Sequence, residues 1–335
     1  MKRLMTAGLM LLFTLASLAN EQQFADMEWL TTSSGVAIEN CRIGYRTAGE
    51  LNDDRSNIIV FPTWFAGTSE ILFTAGLIGP GKLADTDKYF VVAIDALGNG
   101  VSCSPSNAVQ FPRISTEDMV RSQHWLLTEH LGIEHARAVL GISMGGMQTF
   151  RWMSTFPSFM DKAIPIDGSP KMTSFDLLQW RTHRDIVQMM QVGGMEQDEI
   201  RMILSRVGLL SLFTPEYFVE QVPVESLEEF VKDSDASYAN MDVNDYVSQL
   251  EAMIDHDVIG DTDESITAYV REVESDVLII GVPSDHMVNQ APSRRVARAL
   301  GAPYFEVASN CGHVGTTCEI ERVSKRVAEF LSIDQ

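Results

Sequence analysis

Basic residues are scarce in this chain of 335 residues, where 25 Lys and Arg stand against 46 Asp and Glu for a formal charge of −21. That balance excludes nucleic acid and anionic lipid as partners, because their phosphates require clustered cations. Cysteine is sparse too: the chain has four, Cys41, Cys103, Cys311 and Cys318, and none forms C-x-x-C. Structural zinc built on cysteine pairs is therefore not expected. Four cysteines are too few for a disulfide scaffold and fit one bridge in an exported protein, or inert thiols. Cys103 falls in a glycine-rich loop and Cys311 lies two residues before His313, so both are expected to rim one site. No D-x-D-x-D-G loop occurs, and the run from Glu216 to Glu264, with 15 acidic residues and one Lys, reads as a solvated acidic surface. Neither a metal nor another cofactor is expected. Repeats and low-complexity linkers are absent, and past Leu18 no apolar run is long enough to cross a bilayer.

The first residues differ from the rest. Lys2 and Arg3 precede an apolar run from Leu4 to Leu18, and Ser17-Leu18-Ala19 supplies small residues at the positions a signal peptidase reads. Residues 1–19 are expected to be a cleaved signal peptide, so the mature protein would be periplasmic or secreted and carry no membrane segment. The run is short for an uncleaved membrane anchor.

Hydrophobic periodicity predicts an alternating α/β chain. Residues 27–47 alternate around Ser34-Gly35 and suggest an antiparallel strand pair. Ile58–Phe61, Tyr89–Ile94, Lys162–Ile166, Val277–Ile280 and Tyr304–Val307 read as buried strands; helices are expected over Thr116–Leu131, with Ser115 as N-cap, over Ser293–Leu300 and over Glu319–Leu331. Such alternation predicts a mostly parallel sheet covered on both faces. Between Met172 and Thr267 the pattern is helical and acidic, without a buried strand. The expected organisation is an α/β core over 20–170 and 268–335, with a helical cap inserted over 171–267 above the carboxyl ends of the strands, where open sheets bind ligands. Methionines of that insert, among them Met172, Met189, Met190, Met195, Met202, Met241 and Met253, are candidates for an adaptable pocket lining or for ordinary helix packing.

The stretch Ala136–Met147, ARAVLGISMGGM, joins a β-branched run to G-x-S-x-G and continues at helical spacing. This is the signature of a nucleophile elbow, a sharp strand-to-helix turn that exposes a serine above the sheet, and it makes Ser143 the candidate nucleophile. A serine hydroxyl needs a base, and the base needs an orienting acid. Asp285 follows a predicted strand through Gly281-Val282-Pro283-Ser284, and His313 follows the last one in Ser309-Asn310-Cys311-Gly312-His313. Both loops should open beside Ser143, in the chain order Ser, Asp, His. Asp167, at the end of the strand after the elbow helix, is the competing acid; His286 is expected to point away, and His124, His130, His135, His183 and His256 to be solvated or packed. The oxyanion hole should combine the N–H of Met144 with that of Trp64 or Phe65 in the loop Pro62–Gly67.

Taken together these motifs resemble the homoserine O-acetyltransferase-like branch of the α/β-hydrolases. Gly141–Gln148 is similar to that family's elbow, Leu77–Lys82 with Asp85–Val91 to its signature before strand four, and Leu97–Gly100 with Ser104–Ser106 to the loop that follows; Asn240–Asp242 to Tyr246 and Asp255–Asp257 resemble the end of its cap. The resemblance covers about residues 28–332 and implies an α/β-hydrolase fold with a cap. It also implies an Asp directly after the catalytic His and an Arg in the cap, both engaging homoserine. Here Val314 stands at the first position and Phe213 near the second, which makes these two the candidate substrate-binding residues. The family's His-Ala-Leu-Thr-Gly oxyanion loop is replaced by Thr63–Gly67. A zwitterionic acceptor would lose its charged partners, so the expected activity is hydrolysis of an ester or related acyl substrate through an acyl-serine. Acyl transfer to homoserine or another alcohol, and non-catalytic ligand binding, are the alternatives. The partner is a small acyl substrate, and a homodimer is allowed.

Overall fold

The computed structural model describes residues 20–332, so the signal peptide expected over residues 1–19 lies outside the described residues. The carboxyl-terminal half of the chain's sheet is built from short runs that periodicity places correctly: β7 (Ala136–Ile142), β8 (Met160–Ile166), β10 (Ile279–Gly281) and β11 (Tyr304–Glu306) are parallel neighbours. Ahead of them, β1 (Gln23–Thr31) and β2 (Ala37–Ala48) form the expected antiparallel pair, and β2 runs antiparallel to β6 (Phe90–Ile94), which is parallel to β3 (Ile58–Pro62). The sheet order is β1-β2-β6-β3-β7-β8-β10-β11, with β9 (Asp276–Val277) also on β8 and a separate two-residue pair, β4 (Ile78–Gly79) with β5 (Ala84–Asp85). Strands β3 and β7 are apolar and buried almost throughout because both faces of the sheet are covered.

Helices cover those faces. Helix α1 (Ser69–Thr74) follows the loop after β3, and α2 (Thr116–Trp125) starts at Ser115, whose hydroxyl and Asp118 form a reciprocal capping box. The helix predicted to run unbroken to Leu131 changes to a π-helical turn over Leu126–His130. Helix α3 (Met144–Thr155) leaves the elbow buried from Met144 to Phe150, with the buried Trp152 donating to Gln123 at 2.9 Å. The insert consists of α4 (Ser174–Val192), α5 (Gln197–Leu212), α6 (Pro215–Gln221), α7 (Leu227–Ser237) and α8 (Val243–Ile254). Its expected end at 267 falls inside α9 (Asp263–Glu272), whose Tyr269 hydroxyl donates to the Phe150 carbonyl of α3 at 2.8 Å. Helices α10 (Ala291–Leu300), α11 (Gly315–Cys318) and α12 (Ile320–Leu331) complete the chain.

Two disulfides are present, Cys41–Cys103 and Cys311–Cys318, where one bridge or free thiols were expected. Cys103 is bonded to Cys41 on β2 and is buried. Among the described residues no group of His, Cys, Asp and Glu could hold a metal ion, and no single helix is long and apolar enough to cross a membrane.

Candidate active site

The elbow requires that two chain segments pass almost in contact. A Cβ on Gly141 would lie 2.1 Å from the Gly145 carbonyl oxygen, one on Gly145 2.6 Å from that of Pro62, and one on Gly146 2.8 Å from that of Ile166. Only glycine admits such an approach. Ser143 between them has φ 57° and ψ −120°, a conformation that costs on the order of 1–3 kcal/mol and is held by its N–H to the Ile166 carbonyl at 2.8 Å.

Asp285 and His313 meet this serine. Asp285 Oδ2 lies 2.7 Å from His313 Nδ1, and His313 Nε2 lies 2.8 Å from Ser143 Oγ. A carboxylate can only accept, so Nδ1 carries the hydrogen and Nε2 is left to accept from the serine hydroxyl. The other oxygen of Asp285 accepts from the N–H groups of Met287 and Val288 at 2.8 and 2.9 Å, which fixes the carboxylate plane. All three residues are buried. Burial alone would depress the imidazole pKa, but the charge and hydrogen bond of Asp285, joined by Asp167, outweigh it and raise it above the usual value.

The competing acid does not reach the histidine. Asp167 is fully buried and directs its two oxygens to the Val282 N–H and the Thr316 hydroxyl. His286 is exposed, as expected. The remaining histidines are engaged elsewhere: His124 stacks on Phe156, His130 approaches Tyr45, His135 pairs with Asp161, His183 with Tyr246 and His256 with Thr116.

In the loop after β3, the N–H of Thr63 is bonded to the Ile94 carbonyl and that of Ala66 to Gln249. Trp64 and Phe65, the two candidate donors, lie between these anchors and line the pocket together with Ser143. Two residues that the sequence reading did not single out position this loop. Gln148 on α3 donates to both the Thr63 and Met144 carbonyls at 3.0 and 3.1 Å, tying the loop to the elbow. Gln249 on α8 accepts from Ala66 at 2.8 Å and donates to the Leu97 carbonyl at 3.0 Å, tying it to the cap. Both are fully buried. Their only trace in the sequence is a polar residue inside an apolar helical stripe, as with Gln249 between Tyr246, Leu250 and Met253.

Above Ser143 opens a cavity of about 320 Å³ whose walls include Trp64, Phe65, Trp180, Leu212, Met241 and Val314. Ser237, Tyr238, Thr316 and Thr317 add hydroxyls, and no Lys, Arg, Asp or Glu is among its lining residues.

With this geometry in place, kinship can be weighed. Residues 57–185 match the alpha/beta hydrolase fold family. A homoserine O-acetyltransferase of Methanobrevibacter ruminantium is 30% identical over 365 residues, an alignment that takes in 92% of this chain and 72% of that protein. The chain belongs to the homoserine O-acetyltransferase-like α/β-hydrolases. It is also 37% identical over 183 residues to a probable esterase of Corynebacterium glutamicum, a match spanning 52% of each chain, so it covers about half the length of that relative. An acetylester hydrolase of Corynebacterium glutamicum has a similar structure, with a TM-score of 0.86 at 26% identity, covering 95% of this chain and 98% of that one.

Of the two candidate substrate-binding residues, Val314 lines the cavity, but Phe213 does not. Helix α5 ends there, and the Phe213 ring turns back into the cap to stack on Tyr217 at 4.5 Å, with Phe218 and Phe230 beside it. Its neighbour Leu212 faces the cavity instead. Of the cap methionines named above, Met241 and Met253 join the lining, whereas Met189, Met195 and Met202 are exposed.

Proposed function

We propose that this protein is an exported serine-dependent acyl hydrolase that cleaves small apolar esters through an acyl-serine. One observation carries the reading: the Ser143–His313–Asp285 relay opens into a 320 Å³ cavity that is apolar and free of charged side chains. In the proposed reaction His313 Nε2 takes the proton of Ser143 as Oγ attacks the ester carbonyl. The oxyanion is met by the N–H groups of Met144 and of Trp64 or Phe65, donors of a kind whose loss costs on the order of 3 kcal/mol. The tetrahedral adduct collapses, the alkoxide leaves with the proton held by His313, and an acyl-serine remains. Water then gives a proton to His313 and attacks the acyl carbon; the acid departs and Ser143 recovers its hydrogen. Asp285 stabilises the imidazolium in both halves.

Export is supported by the cationic, apolar and small-residue sequence of residues 1–19 and by the two disulfides. Acyl transfer is the second reading, favoured by the homoserine O-acetyltransferase that aligns with 92% of the chain. Against it, Val314 and Leu212 offer the ammonium and carboxylate of homoserine no counter-charge.

Three measurements test the proposal. Ser143 should be labelled by a fluorophosphonate, and p-nitrophenyl acetate should be hydrolysed; Ser143→Ala should lose at least about three orders of magnitude of turnover, and Asp285→Asn as much or less. Millimolar homoserine with acetyl-CoA should give no O-acetylhomoserine. Saturable formation of that product faster than ester hydrolysis would make the protein an acyltransferase, and parent-like turnover by the Ala variant would remove Ser143 from the mechanism.

A further inference from the structure

Asp167 directly follows β8 with φ 46°, a left-handed backbone conformation uncommon outside glycine. Its N–H donates to the Ile280 carbonyl at 2.9 Å, and its side chain is wholly enclosed. The two carboxyl oxygens divide between the two loops that carry the relay. Oδ1 accepts from the N–H of Val282, three residues before Asp285, at 3.1 Å, and Oδ2 accepts from the hydroxyl of Thr316, three residues after His313, at 2.7 Å. One short side chain thus spans the acid loop and the base loop at the point where they must stay in register.

Its electrical surroundings are unusual for a structural tie. The titratable groups that act on it are Asp285 from the loop after β10 and His313 from the loop after β11, while Tyr304 on β11 feels its charge. These include no Lys or Arg. A buried carboxyl used only as a clip is more cheaply replaced by a neutral amide or hydroxyl, since an ionised carboxylate out of water costs several kcal/mol without a cation. The imidazole of His313 is the one group there able to become positive, and it does so in each half of the proposed reaction.

We propose that Asp167 is a positioning residue of this site, which holds the Asp285 and His313 loops in register and adds a second negative charge behind the imidazolium formed during turnover. The inference rests on the relay proposed above. Burial, followed by the nearby charge of Asp285, pushes the Asp167 carboxyl up to about 7, and the charges of Asp167 and His313 act on each other. The raised pKa of His313 depends in part on Asp167 being ionised.

Asp167→Asn is the decisive variant, because its amide oxygen still accepts from Val282 and its NH₂ can donate to Thr316 Oγ1, so shape and bonding persist while the charge is lost. Folding is checked by the unfolding midpoint. With p-nitrophenyl acetate, kcat should fall about tenfold with KM changed less than twofold, and the acid limb of the kcat/KM profile should move to lower pH. A tie without an electrostatic role leaves that limb in place, and parent-like kcat with an unmoved limb overturns the proposal. NMR titration of the His313 imidazole in the parent protein supplies a readout that needs neither the variant nor turnover. Two coupled steps are expected there, and a single-step curve refutes the coupling. If the parent hydrolyses no ester, the hydrolase reading fails on its own while the titration still decides the role of Asp167.

Discussion

Gly312, directly before His313, offers a sharp test of how the cap and the relay depend on each other. Its φ is +71°, and a Cβ placed on it would lie 2.7 Å from the Leu212 carbonyl oxygen and 3.1 Å from both Phe213 Cα and Thr214 N, all main-chain atoms of the cap at the end of α5. The two segments are held face to face by a hydrogen bond from the Thr214 hydroxyl to the Asn310 carbonyl and by the Asn310 amide donating to Glu220 at 2.6 Å. Gly312→Ala therefore meets two costs. The left-handed conformation costs about 1–2 kcal/mol for any residue with a Cβ, and an overlap with backbone that cannot rotate away adds about 1–3 kcal/mol. Gly301 is the internal control: its φ is +68°, but a Cβ there would meet nothing within 4 Å, so Gly301→Ala should lose only the first amount. Relief of the overlap at Gly312 must push the His313 loop or the cap outward, and a shift of about 1 Å at the 2.8 Å Ser143–His313 contact is worth roughly 10²-fold in rate. Denaturant unfolding and steady-state ester kinetics on both variants are the assays. Gly312→Ala should be the less stable of the two and lose kcat with little change in KM. Equal stability losses and unchanged kcat in both would show that the cap is not seated on the His313 loop.

Acid stability and the disulfides give two more tests. Burial holds His256 down to about 3, with Arg151 adding to the effect, and holds His183 down to about 4. Below about pH 6.5 the unfolded chain binds protons there that the folded one refuses, so stability should fall by several kcal/mol between pH 7 and 4, and His183→Gln with His256→Gln should flatten a denaturant series over that window. Cys41–Cys103 spans 62 residues, for which chain entropy gives about 4 kcal/mol, whereas Cys311–Cys318 spans only 7. Mild reductant should open the second bridge first, since Cys318 is exposed while Cys41 and Cys103 are buried, and thiol counting against the unfolding midpoint checks both statements.

What could be read from the chain was what local patterns encode. The elbow announced itself because strand, turn glycines and helix are consecutive, and Asp285 and His313 followed from lying just past predicted strands. Where side chains from distant segments decide, the pattern was silent. Phe213 sits one residue from a lining position, but it is the extended C-cap residue past the last turn of α5, so its ring leaves the cavity side and stacks on Tyr217. Gln148 and Gln249 act through main-chain carbonyls and N–H groups that no side-chain pattern marks. The second disulfide depended on the 3₁₀ turn at Gly312–Val314 leading into α11, which brings Cys318 back to Cys311. The boundary at 267 cut a helix because α9 has the amphipathic, acidic start of a cap helix but buries Ile266 and Tyr269 against the core.

The uncharged cavity also governs what happens after the chemistry. In the proposed reaction a neutral ester enters and a carboxylate must leave, and no Lys or Arg lines the walls to detain it. Outside waits a chain of formal charge −21, which repels an anion once it is formed. If the chain is such a hydrolase, the same lining that admits an uncharged substrate offers its acid product no Lys or Arg, and the released acid should compete poorly for the site.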